Sequence, residues 1–77
     1  MKLCEYEGKK VRIFNKFGQV FVGLADIYSC ADDNESGVAS ILFVSDDGSF
    51  LEIEEPEILK IEIIGAATHN LLHISFK

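Results

Sequence analysis

The sequence predicts an all-β protein, a small curled barrel of about five antiparallel strands. Its 77 residues are enough for one domain only. Apolar and polar residues alternate with a period of two over several short segments, which is typical of half-buried strands. Gly, Asn and Asp separate these segments at short intervals. Short strands with short connections form a barrel or a sandwich, and this length favours the barrel.

The first predicted strand follows a short lead-in. Residues 3–6 are expected to form a helical turn or an extended segment, and Gly8 ends either one. The alternation that follows places Val11 and Ile13 on one face of a strand. Residues 15–18 then have the composition of a hairpin turn.

A long second strand is predicted over residues 19–28, which are apolar on both alternations. Phe21, Ala25 and Ile27 share one side, so we expect a strand buried on both faces. Gly23 interrupts the run, and a residue without Cβ lets a barrel strand bend.

Three more strands are expected after a polar, turn-rich loop at residues 31–37. The third covers residues 38–45. Asp47 and Gly48 predict a tight primed hairpin turn into the fourth strand, residues 49–54. Pro56 interrupts the pattern, and residues 58–64 form the fifth strand.

Within the last two strands, the alternation assigns apolar residues to one face. Leu51 and Ile53 point inward on the fourth strand, opposite to two glutamates. Leu59, Ile61 and Ile63 share a face of the fifth strand. We therefore divide the chain into a barrel, residues 1–64, and a tail, residues 65–77, which the sequence leaves open as a sixth strand, a short helix or a segment that docks on a neighbouring subunit.

Charge argues against polyanionic partners. The chain carries 13 acidic and 7 basic residues, a net charge of −6, so its field repels phosphate. One basic cluster stands out near the amino end: Lys9, Lys10, Arg12 and Lys16. Neither a membrane span nor the apolar core of a signal peptide is evident, and we expect a cytoplasmic protein without a membrane partner.

The sequence predicts no metal site. Cys4 and Cys30 lack metal-ligand spacing and are expected to be buried free thiols. Asp32, Asn34 and Ser36 resemble half of a calcium loop, but the twelfth position of that loop is Phe43, which cannot bind a cation. His69 and His73 have helical metal spacing but no third ligand nearby in sequence.

Catalysis is not expected either. Glu52, Glu54, Glu55 and Glu57 are interpreted as a solvated face or a subunit rim, because glutamate is rarely buried fully. The sequence contains no nucleophile with a neighbouring base and no phosphate-binding loop. We therefore predict a non-enzyme without a cofactor.

The glycine and hydrophobic positions over residues 3–64 resemble an Sm-like (LSM) domain, in particular a group of small bacterial Sm-like proteins of uncharacterised role. The similarity begins with a short helix before Gly8-Lys9-Lys10-Val11-Arg12-Ile13 and continues through Gly18, Val20 and Gly23. The second family motif, an Ile-Arg-Gly stretch followed by Ile-x-x-Ile, matches Ile53-Glu54-Glu55-Pro56-Glu57-Ile58-Leu59-Lys60-Ile61.

This resemblance implies an SH3-like five-stranded barrel whose fourth and fifth strands pair with neighbouring subunits into a ring, which binds RNA in many members. Here Glu54 and Glu55 occupy the positions of the family's Arg-Gly pair, and carboxylates repel a polyanion. The loop that offers polar contacts to a base in the family corresponds loosely to Asp32, Asp33 and Asn34. Tyr28 comes nearest to a stacking aromatic, but an aromatic residue on a strand is more often core or interface.

Two functions follow as expectations. The first is a homo-oligomeric binding or scaffolding module, whose edge strands use the apolar residues Leu51, Ile53, Leu59 and Ile61 as an interface. The alternative is an RNA-binding ring, whose candidate contacts are Lys9, Lys10, Arg12, Lys16, Asp33 and Asn34. The charge favours the first function.

Overall fold

The chain forms one five-stranded antiparallel sheet, which confirms the all-β prediction. The computed structural model describes residues 2–65. The strands are β1 (Lys9–Asn15), β2 (Val20–Ser29), β3 (Ser40–Ser45), β4 (Phe50–Glu54) and β5 (Ile58–Gly65), in the order β4-β3-β2-β1-β5. Short 3-10 helices span Leu3–Tyr6, Ala31–Asp33 and Glu55–Glu57. Gly65, which the prediction assigned to the tail, belongs to β5. Residues 66–77, with both histidines and the rest of the predicted tail, lie outside the described residues.

The lead-in is a helical turn, as one of the two alternatives predicted. Its Leu3 is buried in the core. Gly8 ends it with φ +83° and donates its N–H to the Ala25 carbonyl, 2.6 Å away. The N–H of Tyr28 donates to a Glu7 carboxylate oxygen at 2.9 Å. These bonds attach the amino end of the chain to β2.

The hydrophobic core lies on the inner face of the sheet. Val11 and Ile13 are fully buried, as their alternation in β1 predicts. The Phe21 ring packs edge-on against that of Phe43, with centroids 6.0 Å apart. The buried hydrophobic residues are Leu3, Val11, Ile13, Ala25, Ala39, Ile41, Phe43, Ile53 and Ile58. Every strand contributes to this set, so the core holds the whole sheet together.

The connection between β4 and β5 forces the sheet to curl. These strands are the two edges of the sheet, and in a flat sheet of five strands the edges lie about 19 Å apart. Glu54 and Ile58 are only four residues apart, so their Cα atoms lie within about 14 Å of each other. The connection is held by Glu55, whose N–H donates to the Ala39 carbonyl at 2.8 Å, and by Glu57, whose carbonyl accepts from Lys16 N–H at 3.0 Å.

The curled sheet is not closed within one chain. Ladders join β1 to β2 and β5, β2 to β3, and β3 to β4. Over residues 2–65, no ladder joins β4 to β5. Each of these two strands therefore keeps one side without a strand partner in the described chain.

Gly23 permits a tight contact between β2 and β3. An added Cβ would overlap the Val44 carbonyl oxygen and lie 2.8 Å from the Ser45 Cα. Both obstacles are backbone atoms, which cannot rotate away. A glycine is required at this position because two backbones approach each other closely.

A bulge at Asp26 corrects the predicted faces of β2. Ala25 pairs with Phe43 and Ile27 with Leu42, so Asp26 is an extra residue between them. The shift turns Ile27 outward, where it is half exposed, and lets Tyr28 pack against the core. The prediction that the second strand is buried on both faces is also wrong, because Val20 and Val22 are exposed on the outer face of β2.

A second bulge corrects the assignment of Leu59. Lys60 pairs with Phe14 but Ile58 pairs with Asn15, so Leu59 is the extra residue in β5. Ile58 is buried, whereas Leu59 is 73% exposed and does not share the inner face with Ile61. A period of two cannot be read across such an insertion.

The β3–β4 hairpin has the predicted position but not the predicted turn type. Gly48 has φ +92°, and among the described residues positive φ occurs only at glycines, so Asp47 does not adopt the conformation that a primed turn needs. The Gly48 N–H donates to the Ser45 carbonyl at 3.0 Å, and Ser45 N–H donates to the Ser49 carbonyl at 2.8 Å. This is a type I turn followed by a glycine bulge.

Replacing Gly23 by alanine is expected to destabilise the fold by about 3 kcal/mol, because the added methyl group overlaps backbone atoms of β3. Urea denaturation followed by circular dichroism measures this change. Gly65→Ala is the matched control, since its Cβ would meet nothing closer than Lys10 Cβ at 3.4 Å. Equal stability of the two variants would contradict the close approach at Gly23.

The Asp47 carboxylate is expected to titrate far below an ordinary aspartate. Hydrogen bonds from the Ser45 hydroxyl and from the N–H and hydroxyl of Ser49 lower its pKa to about 2. The folded-state pKa is lower than the unfolded value of 3.8, so its stabilising effect is present above that value and is lost as the pH falls towards 2. Carbon-detected NMR titration of the carboxyl group measures this pKa, and a midpoint near 3.8 would contradict the hydrogen bonds.

Candidate functional site

The two free edges of the sheet are the best candidate for an interaction site. On β4, Phe50 is 71% and Leu51 41% exposed. On β5, the corresponding values are 73% for Leu59, 52% for Ile63 and 38% for Ile64. Since β4 and β5 are the outermost strands, these side chains lie next to unpaired backbone N–H and C=O groups. Apolar side chains beside an unpaired strand edge can bind another strand.

The structure divides the four predicted interface residues into two pairs. Leu51 and Leu59 are exposed at the edges. Ile53 is buried and Ile61 packs against the core of its own chain, so both serve the fold first. Leu51 shares the inner face with Ile53 but has no neighbour on its open side, which is why it stays exposed.

Sequence reasoning missed three edge residues: Phe50, Ile63 and Ile64. Their apolar character is visible in the sequence, but their exposure depends on which strands lie at the edges. The available signal was an apolar residue that directly adjoins a predicted turn, as Phe50 does after Ser49 and Ile64 does before Gly65.

The basic cluster is divided by the fold. Lys10 and Arg12 lie on the outer face of β1, and both are engaged in ion pairs. The ammonium group of Lys10 is 3.2 Å from an Asp46 carboxylate oxygen. One Glu62 oxygen lies 2.9 Å from the Arg12 guanidinium, and the other lies 3.0 Å from the Lys60 ammonium.

Lys9 and Lys16, the other two residues of the basic cluster, do not lie on the outer face with Lys10 and Arg12. Lys9 pairs with Ala25 and has the parity of the inner-facing Val11, so it is not on the face of Lys10. Lys16 lies in the β1–β2 turn, with its ammonium group 5.5 Å from the centre of the Phe17 ring. The four residues therefore do not form one continuous basic surface.

Glu62 is the centre of a charge network on the outer face. Hydrogen bonds from Lys60 and from Arg12 lower the pKa of its carboxyl group. Lys60 also lies 5.5 Å from the centre of the Phe14 ring. The carboxylate thus neutralises two cations that would otherwise attract phosphate.

The loop with Asp33 and Asn34 is built from its own hydrogen bonds. The Asn34 amide donates to the Val38 carbonyl at 2.7 Å and lies 3.1 Å from the Ser40 hydroxyl. Asp33 accepts a hydrogen bond from the Cys30 thiol at 3.2 Å. These two candidate RNA contacts therefore order the loop that precedes β3.

Both described cysteines are free thiols, as predicted, but their predicted burial is wrong. Cys4 is exposed, and Cys30 is partly exposed on the loop after β2.

The pKa of the Tyr28 hydroxyl is raised by partial desolvation first, and then by the nearby groups of Cys4, Cys30 and Glu55. Tyr28 packs against the core, in agreement with the interpretation of this aromatic as a structural residue.

The two carboxylates of β4 differ in exposure, since Glu52 is exposed and Glu54 is partly buried. The Ser40 hydroxyl donates to a Glu52 oxygen at 2.6 Å. Within residues 2–65, the His, Cys, Asp and Glu side chains form no group of three or more that could hold a metal ion.

In the same part of the chain, the structure contains no helix with the length and apolar character needed to cross a membrane.

Comparisons with protein-family models, with curated proteins and with solved structures find no match to this chain. The resemblance to Sm-like domains remains a prediction from the residues.

Single-stranded RNA is expected not to bind to this chain at low salt, where electrostatic affinity is greatest. The reason is the neutralisation of Lys10, Arg12 and Lys60 by Asp46 and Glu62. Fluorescence anisotropy with short labelled poly-A and poly-U measures the affinity. Binding at micromolar protein that weakens steeply with added salt would contradict this expectation.

Proposed function

We propose that the chain is a non-catalytic Sm-like module that self-assembles through β4 of one copy and β5 of the next, and that the assembly serves as a binding or scaffolding protein. The proposal depends mainly on one observation. Five of the nine exposed large hydrophobic residues within residues 2–65 lie on these two edge strands. Pairing of the edges removes this apolar surface from water and satisfies the backbone groups of both strands.

The two edges are different, which determines the kind of assembly. A contact between β4 and β5 joins two unlike surfaces, so a pair of copies keeps one free β4 edge and one free β5 edge. Such a heterologous contact produces a ring when the rotation between copies closes, and a filament when it does not. Ring formation is therefore compatible with these edges without any additional interface.

Four features support the assignment to an SH3-like Sm barrel. A helical turn precedes β1, β2 is long and carries Gly23 at a close approach, the sheet curls, and a short 3-10 helix separates β4 from β5. Pairing with a second copy gives each free edge the strand neighbour that it lacks in the single chain. The fold and the assembly are thus parts of the same proposal.

RNA binding is the less favoured function for this module. The family's Arg-Gly positions correspond to Glu54 and Glu55, which are partly buried beside the β4–β5 connection. The cations on the outer face are engaged with carboxylates. We therefore expect a protein partner, and the free thiols of Cys4 and Cys30 suit a reducing compartment such as the cytoplasm.

Leu51→Lys is expected to weaken self-association by about tenfold to a hundredfold, because burial of a leucine side chain contributes about 1.5–3 kcal/mol. Light scattering on a size-exclusion column, over micromolar concentrations, measures the assembly. Phe17→Lys is the matched control, since Phe17 is equally apolar and 68% exposed but lies in the β1–β2 turn.

The same experiment has a clear negative result. A wild-type protein that elutes only with the monomer mass would refute self-assembly. Equal loss of assembly in both variants would show that the contact does not depend on β4.

A further inference from the structure

The outer face of β2 and β3 carries an apolar strip. The strand registers place Leu24 beside Val44 and Ile27 beside Leu42 on this face. With two more residues of β2 they form the outer strip, whose members are Val20, Val22, Leu24, Ile27, Leu42 and Val44. All six are at least partly exposed, and Val20 and Ile27 are about half exposed.

The outer strip departs from the usual design of an antiparallel sheet, which has one apolar face against the core and one polar face against water. In β2 both alternations are apolar: Ala25 is buried in the core, whereas Val20 and Ile27 are exposed on the other side. A contiguous exposed apolar surface is typical of a site for a protein partner. The proposed edge contact uses β4 and β5, so it leaves the strip accessible.

We propose that the outer strip binds one amphipathic helix of a partner protein, whose apolar stripe is flanked by lysine or arginine on the side that faces β4. This inference names the partner of the binding module and rests on the proposed function to that extent. The surface itself does not depend on self-assembly.

The dimensions of the outer strip fit a helix. From Val20 to Ile27 the strand rises about 23 Å, since each residue of a strand adds about 3.3 Å. A helix of about 15 residues has this length. Neighbouring strands lie about 4.8 Å apart and a helix with its side chains is about 10 Å wide, so one helix covers β2 and β3. A helix packed on a sheet face is a common two-layer arrangement.

The carboxylates on the β4 side of the outer strip favour a basic partner. Glu52 pairs with Leu42 and therefore borders the strip, and Glu54 follows on the same face of β4. Within residues 2–65, the salt bridges use two other carboxylates, those of Asp46 and Glu62. A lysine or arginine of the partner helix therefore meets carboxylates that have no cation in the described chain. The net charge of −6 also attracts a basic partner.

The β1 side of the outer strip has a different charge. Lys10 lies beside Leu24, and Arg12 lies beside Val22. Both cations are engaged by carboxylates of their own chain, and further cations next to them would be repelled. The basic residues of the partner therefore belong on one flank only, which fixes how the helix is rotated about its own axis.

Fluorescence anisotropy with a labelled synthetic peptide tests the proposal in the full-length chain. The peptide has about 18 residues, with leucine in the stripe, lysine along one flank and glutamine elsewhere. We expect binding at micromolar protein. A peptide of the same composition in scrambled order is expected to bind at least about tenfold more weakly, because it presents no apolar stripe. Equal affinities, or no binding of the amphipathic peptide, would overturn the proposal.

Ile27→Lys is expected to weaken binding of the peptide at least about tenfold, because it replaces apolar surface of the strip by a cation. Leu51→Lys is the matched control and is expected to leave the affinity unchanged. It adds the same charge at a residue of similar exposure, 41% against 51% for Ile27, but on the inner face of β4. Equal affinities of the two variants would refute binding at the outer strip.

Light scattering separates this inference from the proposed function, because the two variants exchange roles there. Leu51→Lys weakens self-assembly, whereas Ile27→Lys is expected to leave it intact. Failure of the proposed function would appear as a monomeric wild type that still binds the peptide, and failure of this inference as an assembling protein that does not. Loss of assembly in Ile27→Lys would show that a second copy covers the strip, which contradicts a partner helix.

Glu52→Gln tests the basic flank of the partner. Glutamine keeps the shape of the side chain and still accepts the hydrogen bond from Ser40. We expect it to weaken binding of the peptide about threefold, as loss of an exposed ion pair does. Glu5→Gln is the matched control, since Glu5 is exposed on the 3-10 helix before β1 and its change removes the same charge. Equal affinities of these two variants would show that no basic flank faces β4.

Discussion

The connection of Glu55–Glu57 between β4 and β5 is the constraint on which the rest of the structure depends. It joins the two opposite edges of a five-stranded sheet over a distance shorter than the width of that sheet. The sheet therefore has to curl, and within it Gly23 permits the close contact between the paired strands β2 and β3. The same curl encloses a core to which all five strands contribute.

The edges follow from this constraint. Because the connection holds β4 and β5 close at one end only, both strands keep an open side in the described chain, and apolar residues such as Leu51 and Ile63 stay in contact with water. An unpaired edge of this kind is a risk for a soluble protein unless it has an occupant. The proposed second copy supplies such an occupant, so the pairing of edges would link the fold to the assembly.

The charges of the chain also disfavour a polyanionic partner. A net charge of −6 repels polyanions over a distance, but the local arrangement matters more at a binding surface. Glu62 engages Arg12 and Lys60, and Asp46 engages Lys10, so the outer face carries balanced pairs and not a basic surface. Exposed pairs of this type contribute little stability. Their main effect here is to remove the attraction for phosphate.

The sequence by itself determined the strands, the turn positions and most of the core, because a period of two identifies residues such as Val11 and Ile13 wherever pairing is regular. Only the tertiary structure decided what lies beyond a bulge: Asp26 and Leu59 are extra residues created by pairing with a neighbouring strand, and they reverse the faces predicted for Ile27 and Leu59. It also decided which strands are edges, since edge position depends on strand order. The candidate site was therefore predictable in its residue types but not in its exposure, because burial is a property of neighbours that are distant in the sequence.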